Sequence, residues 1–213
     1  VSGQVHLAAE RFRQSGRDYW AGPIANQGHY DPFGSWNRVW KVTKAEIDQH
    51  MTDWNQSGYV TPEAILNWPA HGKILKGEAA TLAPFVDVNG DGLYNPTEGE
   101  YPKVRGDMAI YSIYNDDYGQ HGESGGLRLK LEVHQMAYAF ECSMDEALSN
   151  TIFLHFKVIN RSTTTYTNSY LGFWSDGDLG NGIDDYVACD VTRGAYYFLN
   201  GDADDQSTTN ITG

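Results

Sequence analysis

Leu127-Arg128-Leu129-Lys130-Leu131-Glu132-Val133-His134 alternates apolar and polar side chains without a break. Successive side chains of a strand point to opposite faces, so this pattern predicts a strand with one face buried and one wet. Ile152-Phe153-Leu154-His155-Phe156-Lys157-Val158-Ile159 predicts a second long strand, closed by the polar turn from Asn160 to Thr165. Tyr166 to Trp174 is expected to return beside it. Met108 to Tyr114, Tyr186 to Val191 and Ala195 to Leu199 complete at least six strands, with Thr192-Arg193-Gly194 joining the last two. Strands joined by short turns pair antiparallel. The expected fold is therefore mainly β: an antiparallel, jelly-roll-like β-sandwich with a small N-terminal helical part.

Upstream, Thr43-Lys44-Ala45-Glu46 has the form of a capping box, in which hydroxyl and carboxylate each satisfy an N–H that the first helical turn leaves free. It predicts a helix from Lys44 to about Gln56, with Ile47, Met51 and Trp54 on one buried stripe. Thr61-Pro62-Glu63 opens a second, shorter helix that must stop before Pro69. A single domain over residues 1–213 is expected, with 1–80 helical and loop-rich and 81–213 holding an acidic loop and the sandwich.

That acidic loop is Asp87-Val88-Asn89-Gly90-Asp91-Gly92-Leu93-Tyr94-Asn95-Pro96-Thr97-Glu98, which fits D-x-[DN]-x-[DN]-G-x5-E at every specified position. A hard divalent cation takes six to eight oxygens, and alternate carboxylates and carboxamides on a tightly turning backbone point theirs inward. Asp87, Asn89, Asp91, the Leu93 carbonyl and Glu98 are the expected ligands of a first calcium site, with a water near Asn95. The flanks are not those of an EF-hand, because Pro84, Pro96, Gly99 and Pro102 forbid a helix on either side. The ion is thus expected as a staple and not as a switch.

Asp176, Asp178, Asn181, Asp184 and Asp185 crowd oxygens together as a second calcium candidate. Asn200, Asp202 and Asp204 repeat the first half of a calcium loop as a weaker third, although Asp205 stands where a glycine is needed. Asn115-Asp116-Asp117 is weaker still, since these residues favour turns on their own account.

The chain carries 28 acidic residues against 15 Lys plus Arg, a net charge of −13 that repels nucleic acid and anionic membranes. No apolar run approaches the roughly twenty residues of a membrane span. Weak acidic loops fill at the millimolar calcium found outside cells, which suits an extracellular or cell-surface location. Cys142 and Cys189 permit one bridge, worth about 4 kcal/mol on the chain-entropy view, with two small buried thiols as the alternative.

Pro84 to Pro96, Gly99-Glu100-Tyr101-Pro102, Leu131 to Phe140 and Asp176-Gly177-Asp178-Leu179-Gly180-Asn181 together resemble a family: large secreted proteins of Bacteroidota that carry a type IX secretion sorting domain. The resemblance runs loosely from the N-terminus to about Asp205, and Glu100 stands where the family has aspartate. It implies export to the surface or medium, calcium at the Asp87 loop, and non-catalytic display or adhesion.

Enzyme readings find less support. Gly122-Glu123-Ser124-Gly125-Gly126 fits G-x-S-x-G and resembles the nucleophile segment of trypsin-like proteases, but a nucleophile elbow needs a helix after it and the alternating stretch follows instead. His121, His134 and His155 with Glu123 or Glu132 could hold zinc, yet lack its usual spacing. The six tryptophans are expected mostly in the core, not as sugar platforms. The expected function is a calcium-stabilised structural or adhesion module, including a self-assembling filament subunit that binds copies of itself. The alternative is a carbohydrate-binding or carbohydrate-active module facing surface glycans.

Overall fold

The computed structural model describes residues 5–10, 15–180 and 182–201. The chain forms two compact units, Val1–Thr165 and Tyr166–Gly213, where sequence reading expects one.

The first unit is built on a five-stranded antiparallel sheet. Its centre is β5 (Met108–Asn115) paired with β6 (Leu131–Ala139), which pairs in turn with β7 (Phe153–Asn160). On the other edge of β5, β1 (Trp20–Ala21) and β2 (Trp40–Thr43) lie end to end. Register puts Trp40 beside Tyr111 and Tyr111 beside Met136, with Val42 beside Ala109, so these side chains share one face. All are buried. Helix α1 (Lys44–Asp53) and the short α2 (Glu63–Leu66) bring Ile47 and Ile65 onto that face, joined by Trp36, Trp68, Leu82 and Ala83. The capping box forms as expected: Glu46 N–H donates to Thr43 Oγ1 (3.2 Å) and Thr43 N–H to the Glu46 carboxylate (2.8 Å).

The mainly β, antiparallel expectation holds. Among the described residues no second large sheet faces this one: two helices and the loops around Trp36 and Trp68 pack on its inner face. The strand expected from Leu127 begins only at Leu131. Asp116 is the cause: its carboxylate takes the N–H groups of Leu129 and Leu131, both at 2.6 Å, and Lys130 between them adopts φ 59°. The left-handed step at Lys130 breaks the extended backbone, and the β6 ladder starts at the next residue. The strand expected over Tyr166 to Trp174 does not form, and Asn168 there has φ 56°.

The second unit holds the antiparallel hairpin of β8 (Tyr186–Asp190) and β9 (Ala195–Leu199). Of the two alternatives for the cysteines, the free thiols are found: Cys142 is half-buried and Cys189 exposed.

Candidate metal centre

Two short strands, β3 (Phe85–Val86) and β4 (Tyr101–Pro102), pair antiparallel and pin the two ends of the acidic loop side by side. Between them lies one 3-10 turn, Pro96–Glu98, and no α-helix, as the prolines require. Gly90 N–H and Gly92 N–H donate to the two oxygens of Asp87 (2.6 and 2.8 Å), Asp91 N–H to Asn89 Oδ1 (2.9 Å) and Leu93 N–H to Asp91 Oδ1 (2.7 Å). Gly92 at φ 79° supplies the left-handed step that this curl needs. The Gly92 N–H, helped by that of Gly90 and opposed by burial, holds the Asp87 carboxyl below its usual range.

The carboxylates that converge are Asp87, Asp91 and Glu100, each with one oxygen within 4.8 Å of the others. That separation suits a hard cation, because ligand oxygens at 2.3–2.6 Å from calcium on opposite sides lie about 5 Å apart. Glu98 lies outside that group of three, but Asn89 Nδ2 donates both to it (2.7 Å) and to Asp91 Oδ2 (3.3 Å), so the loop gathers Asn89, Asp91 and Glu98 together; Asn95 Oδ1 caps the 3-10 turn by accepting from Thr97 N–H (3.1 Å). The Leu93 side chain is exposed.

Glu100 is fully buried and takes two backbone N–H groups, from Val88 (3.2 Å) and Asn95 (2.7 Å), one on each arm of the loop. Like charges this close to Asp87 and Asp91 repel, and a divalent cation between them would offset two of the three. Glu100 lies two residues beyond the twelve-residue template and so outside the expected ligand set; the usable signal was a carboxylate immediately before Tyr101-Pro102.

Helix α1 buttresses this corner. His50 Nε2 donates to the Glu100 carbonyl (3.1 Å), and its Nδ1 faces Tyr59 Oη (3.1 Å); burial pushes the ring's pKa down, which favours this neutral form. The Trp54 indole lies against Gly99, where a Cβ would come within 2.8 Å of Nε1. On the other arm, Tyr94 N–H donates to His71 Nε2 (2.9 Å) and Tyr94 Oη–H to the Ile65 carbonyl (2.6 Å). The cage therefore sits on packed elements and not on a free loop.

The other candidates are less assembled. Asp176 and Asp178 are exposed, and Asp185 Oδ2 accepts from Leu179 N–H (2.6 Å). Asp184 Oδ1 is shut off from solvent with no hydrogen-bond partner. The Asn200 amide nitrogen, turned toward Leu179 O and Asp185 Oδ1, donates to both (3.2 and 3.1 Å). Asn181, Asp202 and Asp204 lie outside the described residues. Among the described residues no group of three acidic, histidine or cysteine ligands forms in this unit. Asn115-Asp116-Asp117 is a structural turn: Asn115 Oδ1 accepts from Asp117 N–H (2.9 Å) and the Asp116 carboxylate is spent on the backbone, as described.

Ser124, His121 and Asp18 come together, yet not as a nucleophile and its base. Ser124 Oγ donates to the Leu7 carbonyl (3.1 Å), and His121 directs both ring nitrogens at backbone carbonyls. His134 bonds Glu132 (2.9 Å) deep in the sheet while His155 is exposed on β7, so no zinc set gathers. Trp20, Trp36, Trp40 and Trp68 are core; Trp54 and Trp174 are exposed.

Compared with protein-family models, curated proteins and solved structures, the chain matches none. Among the described residues no helix is long and apolar enough to cross a membrane.

Proposed function

We propose that the chain is a calcium-stabilised, extracellular structural or adhesion module of a secreted surface protein. The observation that carries the reading is the meeting of Asp87, Asp91 and Glu100 within 4.8 Å on a loop whose backbone is already curled around them. An all-oxygen donor set favours a hard cation over zinc or copper. Ligands fixed by paired strands and a buttressing helix suit a staple, because nothing beside the loop is free to swing. The resemblance to secreted Bacteroidota proteins and the net charge of −13 agree with surface display in a calcium-rich medium.

Titration calorimetry with calcium should show an ion bound, and melting in calcium should exceed melting in chelator. At a hundredfold excess over Kd the gain is about 2.7 kcal/mol, or roughly 5–10 °C for a unit of this size. Asp91→Ala should remove most of that difference. Superimposed melting curves with calcium and with chelator would sink the reading.

Self-assembly is a second reading, favoured by β7. Among the described residues that strand pairs with β6 and with no further strand, and most of its side chains are exposed. Open edges accept added strands. Calcium-dependent polymers in sedimentation would support it, and a monomer at all concentrations would end it.

A further inference from the structure

Alternation along each strand of the first unit's sheet sends one set of side chains to the core and the other set to the outer face. Register aligns Lys41, Ile110, Ala137 and Leu154 in one outward row, and Tyr114, Val133 and Val158 in another. Lys41 is the only charged residue at an outward position of β2, β5, β6 or β7, and none there is acidic, in a chain with 28 acidic residues. Tyr19 stands edge-on against the Tyr114 ring (5.5 Å) at one end. Elsewhere the face is open, with Met108, Ile110, Leu154 and Val158 between 38% and 51% exposed.

Four columns of strand at about 4.8 Å, each about eight residues long at about 3.3 Å, make a face of roughly 500 Å². Exposed apolar patches of that size mark interaction sites. Two such faces together reach about 1,000 Å² before the relief of the side chains is counted, the lower bound for a specific interface. The occupant has to be apolar too, because a charged surface would lose its water here and find nothing to bond. A second copy meets that need. A two-fold axis sets a surface against itself, so an acid-free face finds its complement in the same face. Twisted sheets pack on one another about 10 Å apart with strands about 30° from parallel, which requires no change in either copy. Lys41 is exposed and lies in the edge column, where a charge stays wet at the rim.

We propose that two copies of the chain pack these outer faces together, so that the sandwich expected within one chain is completed between two. The assembly closes at a dimer, since the two faces cover each other, whereas strand addition along β7 would continue. No ligand of the Asp87 loop takes part, so the pairing stands apart from the calcium reading. Each copy carries a net charge of −13, and the repulsion between copies is screened by salt. Burial of apolar side chains is not weakened by that screening. Dimerisation therefore strengthens as salt rises, the opposite of an interface held by ion pairs.

Sedimentation equilibrium of the whole chain in chelator, at low and at high salt, is the test. The expected result is a monomer–dimer equilibrium with a Kd on the order of micromolar that shifts toward dimer at high salt. Leu154→Asp should weaken association about a hundredfold, because the two-fold axis places the new charge in the interface twice. Leu154 is half exposed, so the melting temperature of the variant monomer should stay near that of the parent. Ile110→Thr, which keeps a β-branched side chain in the strand, should weaken association about tenfold. Lys157→Gln, exposed on the opposite face of β7, should leave it unchanged. A chain that stays monomeric at both salts, a dimer that survives Leu154→Asp or is lost with Lys157→Gln, or polymers that grow past two copies would each overturn the face-to-face pair.

Discussion

Glu100→Gln is expected to erase the melting difference between calcium and chelator, and to lower stability by about 2 kcal/mol even in chelator. The first effect follows because the amide removes one of three converging negative charges and offers a weaker oxygen to the ion. The second follows because Glu100 is a fully buried acceptor for Val88 and Asn95 N–H, bonds that are stronger to a charged group than to a neutral one. Glu98→Gln is the informative partner. Glu98 is not among the three converging carboxylates and bonds the Asn89 amide, so its variant should keep most of the calcium response. Should Glu98→Gln abolish the response and Glu100→Gln spare it, the twelve-residue template is right and the three-carboxylate cage is wrong.

Arg161→Ala is expected to cost about 3–5 kcal/mol in urea unfolding of the first unit, the usual result of stranding a buried charge. Glu132 is fully buried on β6 and receives Arg161 Nη2 (2.6 Å) and Nε (3.2 Å), His134 Nε2 (2.9 Å) and Ile24 N–H (2.9 Å). Tyr111 Oη extends the chain to His134 Nδ1 (2.6 Å). Burial pushes the Glu132 carboxyl up, but His134, Arg161 and Ile24 together outweigh it and hold the group below its ordinary range. A carboxyl depressed in the folded state stabilises fully above its unfolded pKa, about 4.3, and that contribution is lost as pH falls through the lower folded value. Arg161→Ala should therefore weaken the acid-side fall in stability. The double variant Glu132→Leu with Arg161→Leu should recover only part of the loss, since it leaves no unpaired charge but strips the His134 and Ile24 N–H groups of their acceptor. A cost below about 1 kcal/mol for Arg161→Ala would mean that solvent screens the pair.

What could be read from sequence was what is decided locally. The capping box at Thr43 and Glu46 closes within four residues, and the Asp87 to Asp91 curl depends on side chains reaching N–H groups two to five positions ahead. Strands β5, β7, β8 and β9 were legible from their apolar spacing. The failures depended on distant partners. Leu127 to Lys130 alternates perfectly, yet Asp116 in the preceding connection captures its backbone. Tyr166 to Trp174 has strand-like residues and no ladder to join. Glu100 fell outside the expected ligand set because a template with fixed length ends before it. The buried polar set of Asp18, Asn115, Asp116, His121, Glu132 and His134 left no spacing signal, since its members come from four separate segments.

The Trp54 ring resting on Gly99 has a practical corollary. An indole so near the carboxylate cage is a built-in antenna: a luminescent lanthanide seated in place of calcium would draw excitation from it. Occupancy of the loop then becomes visible under ultraviolet light, with no dye attached.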